Sequence, residues 1–248
     1  MKFSIVTAAY RAAATIEDTL RSVREQDWPQ VEHLIVDGGS PDDTAAIARA
    51  YVRPGGLVSS EPDHGLYDAM NKGIARATGD VVAILNADDF YVDAYVLSQV
   101  ATVFREQRVD AVLTDVAFLN NRDPGRIGRR YNSGRFTPGR IGWGWMPAHP
   151  GMFLTSDAYC RVGEYALDYR IAADFEFIAR AFGRHRLSYA YLPIISVMMR
   201  PGGVSTAGLR STVTIATESV RACRTNGIRS NLLMIASKYP LKLLEHWR

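Results

Sequence analysis

The sequence predicts an α/β protein with a mostly parallel central sheet, helices on both faces of that sheet and a helical extension at the C-terminus. Short apolar runs alternate with segments of helical periodicity through the first half of the chain, which is the pattern of β-α-β units. The 248 residues are 47% hydrophobic and 22% charged, so the chain can bury a sizeable globular core.

Four strands are predicted in the first half, at residues 3–7, 33–37, 57–60 and 81–85. Apolar stripes predict two of the helices between them, Ile16, Leu20 and Val23 in the first and Leu66, Met70, Ile74 and Ala77 in the third. We expect Thr15 to cap the first helix. Asp42 or Asp43 is expected to begin the second, which runs to about residue 51.

The second half is predicted to be less regular, with helices at residues 96–107 and 173–182 and strands at 111–114, 151–154 and 187–199. Residues 120–144 form a loop-rich stretch that carries several arginines. Pro193 is expected to break the last strand. Beyond a turn at residues 201–203, the remainder of the chain is predicted to form two helices.

Composition excludes several classes of protein. A formal net charge of +3 is too small to indicate nucleic-acid binding. Cys160 and Cys223 are too few and too far apart for a zinc site or a disulfide framework, so we expect a reduced cytoplasmic protein. No apolar stretch approaches the ~18 residues that span a bilayer, which leaves a protein in solution or on a membrane surface.

Acidic residues follow two predicted strands at their carboxyl ends. Asp37 ends the second strand, and Asn86-Ala87-Asp88-Asp89 follows the fourth. Ligands of open α/β sheets bind beyond the carboxyl ends of the strands, so a site is expected at this edge. Carboxylates there can hold a hard divalent cation, which in turn neutralises a diphosphate. Taken alone, each motif is equally consistent with an ordinary Asp-containing turn.

A third polar segment covers residues 60–73. On the helix predicted there, Asp68, Asn71 and Lys72 share one face because they are spaced i, i+3 and i+4. This face is either solvated or lines a nucleotide pocket, while the opposite apolar stripe is expected to be buried.

Together these segments resemble the family 2 glycosyltransferases, whose nucleotide-sugar-binding fold is called GT-A. The matching segments are SIVTAAY (residues 4–10), VDGGSPDDT (36–44), residues 60–73 and LNADD (85–89), in the family's order and spacing. The resemblance is specific over about residues 3–90 and extends more weakly to about 206. Residues 60–73 look most like bacterial polysaccharide-assembly enzymes, including colanic-acid-type transferases.

The resemblance implies a nucleotide-sugar site at the predicted edge of the sheet. Thr7 and Tyr10 would border the nucleotide, with Tyr10 against the base, and Asp37 would accept a hydrogen bond from the base. The other donor-binding positions that it implies are Asp68, Asn71, Lys72, Asn86 and Ala87.

The resemblance also implies a divalent cation, Mn²⁺ or Mg²⁺, that bridges the donor diphosphate. Asp88, aided by Asp89, would meet this cation. The family usually has Asp at the first position of this motif, where this chain has Asn86. An amide can coordinate weakly or through water, but without its charge the metal affinity should drop. The family's usual Arg before Asn71 is Met70 here, so part of the base or phosphate contact is missing.

Three matches in the second half imply the acceptor side. Asp174 stands where the family carries its catalytic carboxylate at a helix start, although a plain first-turn carboxylate would look the same. His149 precedes a strand and would contact the acceptor or the donor sugar. Gly203 lies in a glycine-containing loop that often closes over the donor, and an ordinary turn is the alternative.

The implied activity is inverting, metal-dependent transfer of a sugar from a UDP- or GDP-linked donor, with Asp174 as the base. The acceptor would be a polyprenyl-diphosphate-linked saccharide in bacterial surface polysaccharide synthesis, at the cytoplasmic face of the membrane. A sugar-1-phosphate nucleotidyltransferase and a non-catalytic scaffold remain alternatives, and a hydrolase with paired carboxylates ranks below them.

The predicted organisation is a catalytic domain over residues 1–206 and a helical extension over 207–248. Within the domain, residues 1–115 would bind the nucleotide sugar and residues 116–206 the acceptor. From residue 229 onward, apolar residues alternate with basic ones, and Pro240 is expected to divide two short amphipathic pieces. These pieces suit the surface of an anionic membrane, or they pack on the catalytic domain or on a second subunit in a homodimer.

Overall fold

A computed structural model describes residues 1–120, 127–200 and 209–237, except for the side chain of Leu209. Within these residues, nine strands form one sheet. The strands are β1 (Phe3–Ala9), β2 (Val31–Asp37), β3 (Leu57–Ser60), β4 (Val81–Ile84), β5 (Phe90–Tyr91), β6 (Ala111–Leu119), β7 (Ile127–Tyr131), β8 (Met152–Thr155) and β9 (Tyr189–Met199). Their spatial order is β3-β2-β1-β4-β8-β6-β9-β5, and β7 pairs with β6 off this path.

Helices cover the sheet. They are α1 (Ile16–Arg24), α2 (Thr44–Tyr51), α3 (Leu66–Arg76), α4 (Val96–Gln107), α5 (Ser156–Val162), α6 (Ala173–Ile178), α7 (Leu209–Thr225) and α8 (Leu232–Ala236). Three short 3₁₀ segments lie at Ser133–Arg135, Pro138–Trp143 and His149–Gly151. No helix in the described part of the chain combines the length and the apolar character that crossing a bilayer requires.

The first half of the sheet follows the prediction. Strands β3, β2, β1 and β4 are all parallel, and the helices between them are crossover connections. Helix α3 lies close to β1, since a Cβ atom at Gly73 would be 2.2 Å from Cγ1 of Val6. Only glycine permits that approach, so this residue sets how closely α3 packs on the sheet.

The second half mixes strand directions. Strand β8 runs antiparallel to both β4 and β6, whereas β9 is parallel to β6. The strand predicted at residues 111–114 continues to Leu119 and therefore passes through residue 115. One sheet thus contains strands from both predicted halves of the domain, and the domain boundaries stay a prediction.

Pro193 does not break β9, contrary to expectation. The strand is continuous from Tyr189 to Met199. The register with β6 shifts between Leu113 and Asp115, which face Tyr191 and Ile195, respectively. Pro193 lies in that irregularity, where a missing N–H costs the ladder nothing.

Helix boundaries bring two further corrections, at Thr15 and after residue 178, and confirm the predicted bounds of α2. Thr15 occupies the cap position of α1, but its hydroxyl donates to the Ala87 carbonyl at 2.9 Å instead of accepting from the helix. Asp43 is the N-cap of α2 without a side-chain bond, while Asp42 accepts from the Thr44 backbone N–H at 3.2 Å. The helix predicted at residues 173–182 is α6 followed by a π-helical stretch, Ala179–Arg184.

The apolar stripe predicted for α3 is only partly correct. Met70 is buried and Ile74 packs against the core, but Leu66 in the first turn is exposed. The predicted loop at residue 203 and the chain beyond Ser237, including Pro240, lie outside the described residues. Helix α7 packs on α6, and α8 packs on the 3₁₀ segment Pro138–Trp143.

Candidate active site

The carboxyl ends of β1, β2 and β4 lie at one edge of the sheet, and Asp37 is the buried carboxylate there. It lies opposite Ala9 and Ser60 in the strand register. Its Oδ2 accepts from the Ser40 N–H at 3.0 Å and from the Ser60 hydroxyl at 2.6 Å, and its Oδ1 accepts from the Ser40 hydroxyl. A carboxylate offers about four acceptor positions, so one on Oδ1 is left for a ligand N–H.

Tyr10 and Arg11 follow β1 at the same edge. The Tyr10 side chain is 58% exposed, and the guanidinium carbon of Arg11 lies 5.4 Å from its ring centroid. Thr7 lies further back in β1, where it is fully buried and its hydroxyl is 2.9 Å from Nε2 of His33. A base can therefore stack on Tyr10, whereas the Thr7 side chain is committed to the interior.

A second carboxylate, that of Asp63, lies against the turn after β2. A Cβ atom at Gly38 would be 2.6 Å from Asp63 Oδ2, so glycine leaves room for the carboxylate. Its Oδ1 accepts the N–H of Gly65 at 2.8 Å. Nothing in the sequence assigns Asp63 a role, because no spacing indicates that it meets the turn after β2.

Two predicted donor-binding residues of α3 face the loop before the helix. Asp68 and Lys72 are one turn apart, with 3.4 Å between Oδ2 and Nζ. Asp68 also accepts the backbone N–H of His64 at 3.0 Å, and Lys72 donates to the Pro62 carbonyl at 3.3 Å. The His64 N–H and, to a smaller extent, the Lys72 charge hold the pKa of Asp68 below its usual value.

Asn71 lies on a different face of α3, which corrects the single polar face that we predicted. It is buried, and its side-chain amide exchanges two hydrogen bonds with the Tyr165 backbone, at 2.9 and 2.8 Å. Tyr67, one turn earlier, donates its hydroxyl to the Ile171 carbonyl at 2.5 Å. This face of α3 therefore holds the 165–171 segment. The Asn71 amide keeps one N–H and one oxygen position beyond these two bonds, and its donor-binding role stays a prediction.

The acidic motif after β4 brings two carboxylates and one amide together. Asp88 is partly exposed, whereas Asp89 is buried and accepts from Nδ2 of Asn86 at 3.3 Å. Burial, and then the neighbouring Asp88 charge, raise the pKa of Asp89 to about 8. The Thr19 hydroxyl of α1 donates to the Asp89 carbonyl at 2.7 Å, so α1 holds the backbone of this turn in place.

The donor set of this motif fits a hard divalent cation in part. Asn86 Oδ1 is a buried acceptor without a hydrogen-bond partner, beside two carboxylates. Oxygen ligands of this kind suit Mg²⁺ and Mn²⁺. Among the described residues, however, no group of three His, Cys, Asp or Glu side chains could hold a metal. The protein would thus supply only a minority of the metal ligands. Such sites are usual for Mg²⁺ in proteins where substrate phosphates and water complete the coordination shell.

Arg200, the residue after β9, contacts this motif. The sequence does not predict this contact. The Arg200 guanidinium donates to the Asp88 carbonyl at 3.0 Å, pairs with Asp18 of α1 and lies 5.2 Å from the ring centroid of Phe90. Arg200 directly precedes the predicted glycine loop, and that position is the one signal in the sequence that could have singled it out.

On the acceptor side, His149 is part of a buried aromatic stack. Its Nε2 lies 2.7 Å from the Tyr165 hydroxyl. The Tyr165 ring stacks on Phe177 at 4.5 Å and on Tyr67 at 5.9 Å. Burial lowers the pKa of His149 to about 4, so the ring is neutral at physiological pH. His149 is thus placed beneath the surface of the predicted acceptor site.

Asp174 lies in the first turn of α6 and is partly exposed. Burial, followed by the Asp174 charge, raises the pKa of Tyr67, which places this carboxylate beside α3. Helix α3 thereby connects the two groups of predicted site residues. Its Tyr67 side borders Asp174, and its Asp68 side borders the loop that carries Asp63. Gly203 lies outside the described residues.

Comparison with known proteins places this site in a family. Residues 4–160 match the family model "Glycosyl transferase family 2". A PGL/p-HBAD biosynthesis glycosyltransferase of Mycobacterium tuberculosis is 32% identical over 197 residues, which cover 78% of this chain and 74% of the relative. An uncharacterised glycosyltransferase of the same species is 32% identical over 181 residues, or 72% of this chain and 68% of the relative.

Solved structures share the fold. Residues 1–349 of Staphylococcus aureus TarS superpose with a TM-score of 0.70 at 19% identity, over 92% of this chain and 67% of that one; the same fragment was solved with UDP-GlcNAc. The mannosyltransferase PcManGT of Pyrobaculum calidifontis, solved with GDP-Man and Mn²⁺, gives 0.66 at 20% identity, over 90% of this chain and 63% of that one. This chain spans 40% of the longer TarS chain.

Proposed function

The chain belongs to glycosyl transferase family 2 and has the GT-A fold, and from that premise we propose that it is an inverting enzyme of bacterial surface polysaccharide synthesis. Its donor would be a UDP- or GDP-linked sugar, and its acceptor a polyprenyl-diphosphate-linked saccharide. The observation that carries the donor proposal is the sheet edge. There the buried Asp37 carboxylate has one acceptor position that no protein hydrogen bond fills, and the exposed Tyr10 follows Ala9, the partner of Asp37 in the strand register.

The donor site would use these groups for different parts of the nucleotide. Tyr10 offers its ring for stacking, and Asp37 Oδ1 accepts an N–H of the base. TarS was solved with UDP-GlcNAc and PcManGT with GDP-Man, so the shared fold supports either nucleotide. Selection between uracil and guanine would depend on the depth of the space above Gly38 and Asp63.

A divalent cation, Mn²⁺ or Mg²⁺, would be held by Asp88 and by Oδ1 of Asn86, with Asp89 behind them. Such a cation supplies electrophilic help to the departing diphosphate. Arg200 keeps the backbone of Asp88 in place and adds a fixed positive charge beside the motif.

Asp174 would be the base. Its carboxylate accepts the proton of the acceptor hydroxyl, whose oxygen forms a bond to the anomeric carbon while the bond to the nucleoside diphosphate breaks. One displacement inverts the configuration. Asp174 is partly exposed in the first turn of α6. This position supports the role, because the base must be accessible to an acceptor hydroxyl that enters from solvent.

The acceptor is proposed on two grounds of unequal weight. The likeness of residues 60–73 to polysaccharide-assembly enzymes favours a lipid-linked saccharide. The names of the mycobacterial relatives offer PGL/p-HBAD biosynthesis as a second candidate pathway. Assays with acceptors of both classes would distinguish them.

Association with the inner face of the cytoplasmic membrane is part of this proposal. The segment Pro138–Trp143 and the segment around α8 form what we call the C-terminal surface, whose exposed residues include Arg140, Trp143, Arg229, Leu232 and Leu233. Ser230 donates to the Gly142 carbonyl at 2.7 Å, so the two segments are held together. Exposed leucines and tryptophan with arginines around them complement an anionic bilayer.

The test of the proposed function is release of nucleoside diphosphate from a panel of UDP- and GDP-sugars, with and without Mn²⁺ or Mg²⁺. We expect metal-dependent release from one nucleotide class, and its loss in Asp88→Ala. Release that is independent of metal, with Asp88→Ala at normal turnover, would contradict the metal proposal. Thermal shifts with UDP and GDP, each with Mn²⁺, identify the base independently of turnover.

A further inference from the structure

We propose that Glu218 of α7 is a positioning residue for Asp174, an inference that rests on the proposed role of Asp174 as the base. The Glu218 carboxylate accepts three successive backbone N–H groups, those of Arg170, Ile171 and Ala172, at 2.7, 3.0 and 2.9 Å. Three consecutive amides that point at one anion form a nest, which fixes the backbone dihedral angles of the segment. This nest ends two residues before Asp174.

The opposite side of the same segment is held from α3. The hydroxyl of Tyr67 donates to the Ile171 carbonyl at 2.5 Å. The N–H and the C=O of Ile171 are therefore both bonded, to side chains of two different helices. Further along α7, Arg221 donates to the Asp168 carbonyl at 3.0 Å and lies 3.7 Å from the Tyr169 ring centroid. The approach to Asp174 is thus clamped over residues 168–172.

The clamp fits a role in positioning because its strongest bonds are made by a charged group. Hydrogen bonds to a carboxylate are roughly twice as strong as neutral ones, and here three of them converge on residues without regular structure before α6. The donor edge, by contrast, is built on β1, β2 and β4. Loosening the clamp should move Asp174 relative to the bound donor while the donor itself stays in place.

The first experiment compares Glu218→Gln with the unmodified enzyme. The amide keeps the shape but presents an NH₂ group to the nest, so at least one N–H loses its acceptor. We expect kcat for nucleoside diphosphate release from UDP-GlcNAc or GDP-mannose, whichever binds, to fall about 10- to 100-fold. The dissociation constant of the nucleotide should stay within twofold. Glu106→Gln on the exposed face of α4 makes the same change of charge and serves as the control.

The decisive readout is the same substitution in an Asp174→Asn background. If Glu218 acts through Asp174, Glu218→Gln should lower kcat in the unmodified enzyme and leave it unchanged in Asp174→Asn. Equal losses in both backgrounds, or a parallel loss of nucleotide affinity, would overturn the proposal, since a structural role predicts them. If Glu218→Gln does not fold, Glu218→Asp takes its place in the same comparison. This variant keeps the negative charge but draws the carboxylate back from the nest by one methylene.

Failure of this inference is distinguishable from failure of the proposed function. If Asp174→Asn is inactive and Glu218→Gln is fully active, only the positioning role of Glu218 is contradicted. If Asp174→Asn is fully active, Asp174 is not the base, and the positioning role of Glu218 is contradicted as well.

Discussion

Asn86 is the residue of the motif after β4 whose side-chain oxygen is buried without a hydrogen-bond partner. Its amide nitrogen donates to Asp89 at 3.3 Å. A buried acceptor that makes no hydrogen bond costs roughly 1–3 kcal/mol. That cost is removed if a cation binds at this oxygen, and the amide leaves Asp89 with a donor when no cation is present.

Asn86→Asp should therefore separate the two states of the site. Without metal, the variant places a carboxylate beside buried Asp89 and removes its donor, so we expect a lower melting temperature than that of the unmodified protein. With Mn²⁺ the added charge should tighten binding, which gives a larger Mn²⁺-induced rise in melting temperature and no loss of activity. Identical Mn²⁺ shifts in both proteins would contradict a ligand role for position 86.

His33 predicts a pH dependence of stability. Burial, with a smaller contribution from the Arg53 charge, lowers its pKa from 6.5 to about 3. Between these values the unfolded chain binds the proton and the folded chain does not, so stability falls as the pH falls below 6.5. From pH 6.5 to 5 the loss for one such group is about 2 kcal/mol.

The matched control replaces both members of the buried pair with apolar residues, in His33→Leu with Thr7→Val. Urea unfolding at pH 7 and pH 5 should show a decrease in free energy of unfolding that is about 2 kcal/mol smaller in this double variant. His149, whose pKa is also lowered, to about 4, contributes equally to both proteins. The same decrease in both proteins would mean that His33 does not stay neutral in the folded state.

Among the elements, α3 bears most directly on the site because its faces make contacts on both sides. Asn71→Ala leaves the N–H and the C=O of Tyr165 buried without partners, and two such groups cost about 2–5 kcal/mol. We expect that loss in urea unfolding, with nucleotide affinity unchanged below the melting temperature. Lys72→Met, at the next position of the same helix, should change stability by about 0.5 kcal/mol or less. A weaker nucleotide affinity in Asn71→Ala would instead support the predicted donor-binding role of Asn71.

Helix α3 also shows which features the sequence predicts and which it does not. Its existence and length follow from the apolar periodicity. The strands and helices of the parallel half follow from their apolar residues and from the turn residues that bound them. The division of the polar residues of α3 into an Asp68 face and an Asn71 face does not follow. Asn71 is partnered 94 residues away, at Tyr165, and no local pattern encodes such a contact.

Strands of the second half were harder to predict for a related reason. Strand β5 has two residues, and β7 lies within the arginine-rich stretch of residues 120–144 that we predicted to be loop-rich, so neither has enough apolar residues to show a period. Strand β9 does show one, but Pro193 hides its continuity because the bulge that accommodates the proline depends on the partner strand β6. Glu218 is missed for the same reason, since its partners are 46 to 48 residues earlier in the chain.

For the whole molecule, the proposed membrane association calls for a test of the C-terminal surface. Removing the chain after Gly227 would test the C-terminal surface poorly. Ile235 is fully buried and Ser230 bonds to Gly142, so truncation would uncover the core beside Pro138–Trp143. Substitution of exposed side chains avoids this problem. Leu232 and Leu233 are 53% and 84% exposed, and charges at these positions should leave the fold intact.

We therefore expect Leu232→Glu with Leu233→Glu to abolish sedimentation of the full chain with vesicles of phosphatidylglycerol and phosphatidylcholine at low salt. The two glutamates remove apolar area from the bilayer and repel its anionic surface. The proposed donor site is built at the ends of β1, β2 and β4 and includes neither leucine, so donor hydrolysis should not change. Leu57→Glu with Leu167→Glu makes the same chemical change at two exposed leucines elsewhere and should sediment normally. If the unmodified chain never binds such vesicles, the membrane proposal is wrong. If it binds neutral vesicles equally well, the anionic charge of the bilayer is not what attracts it.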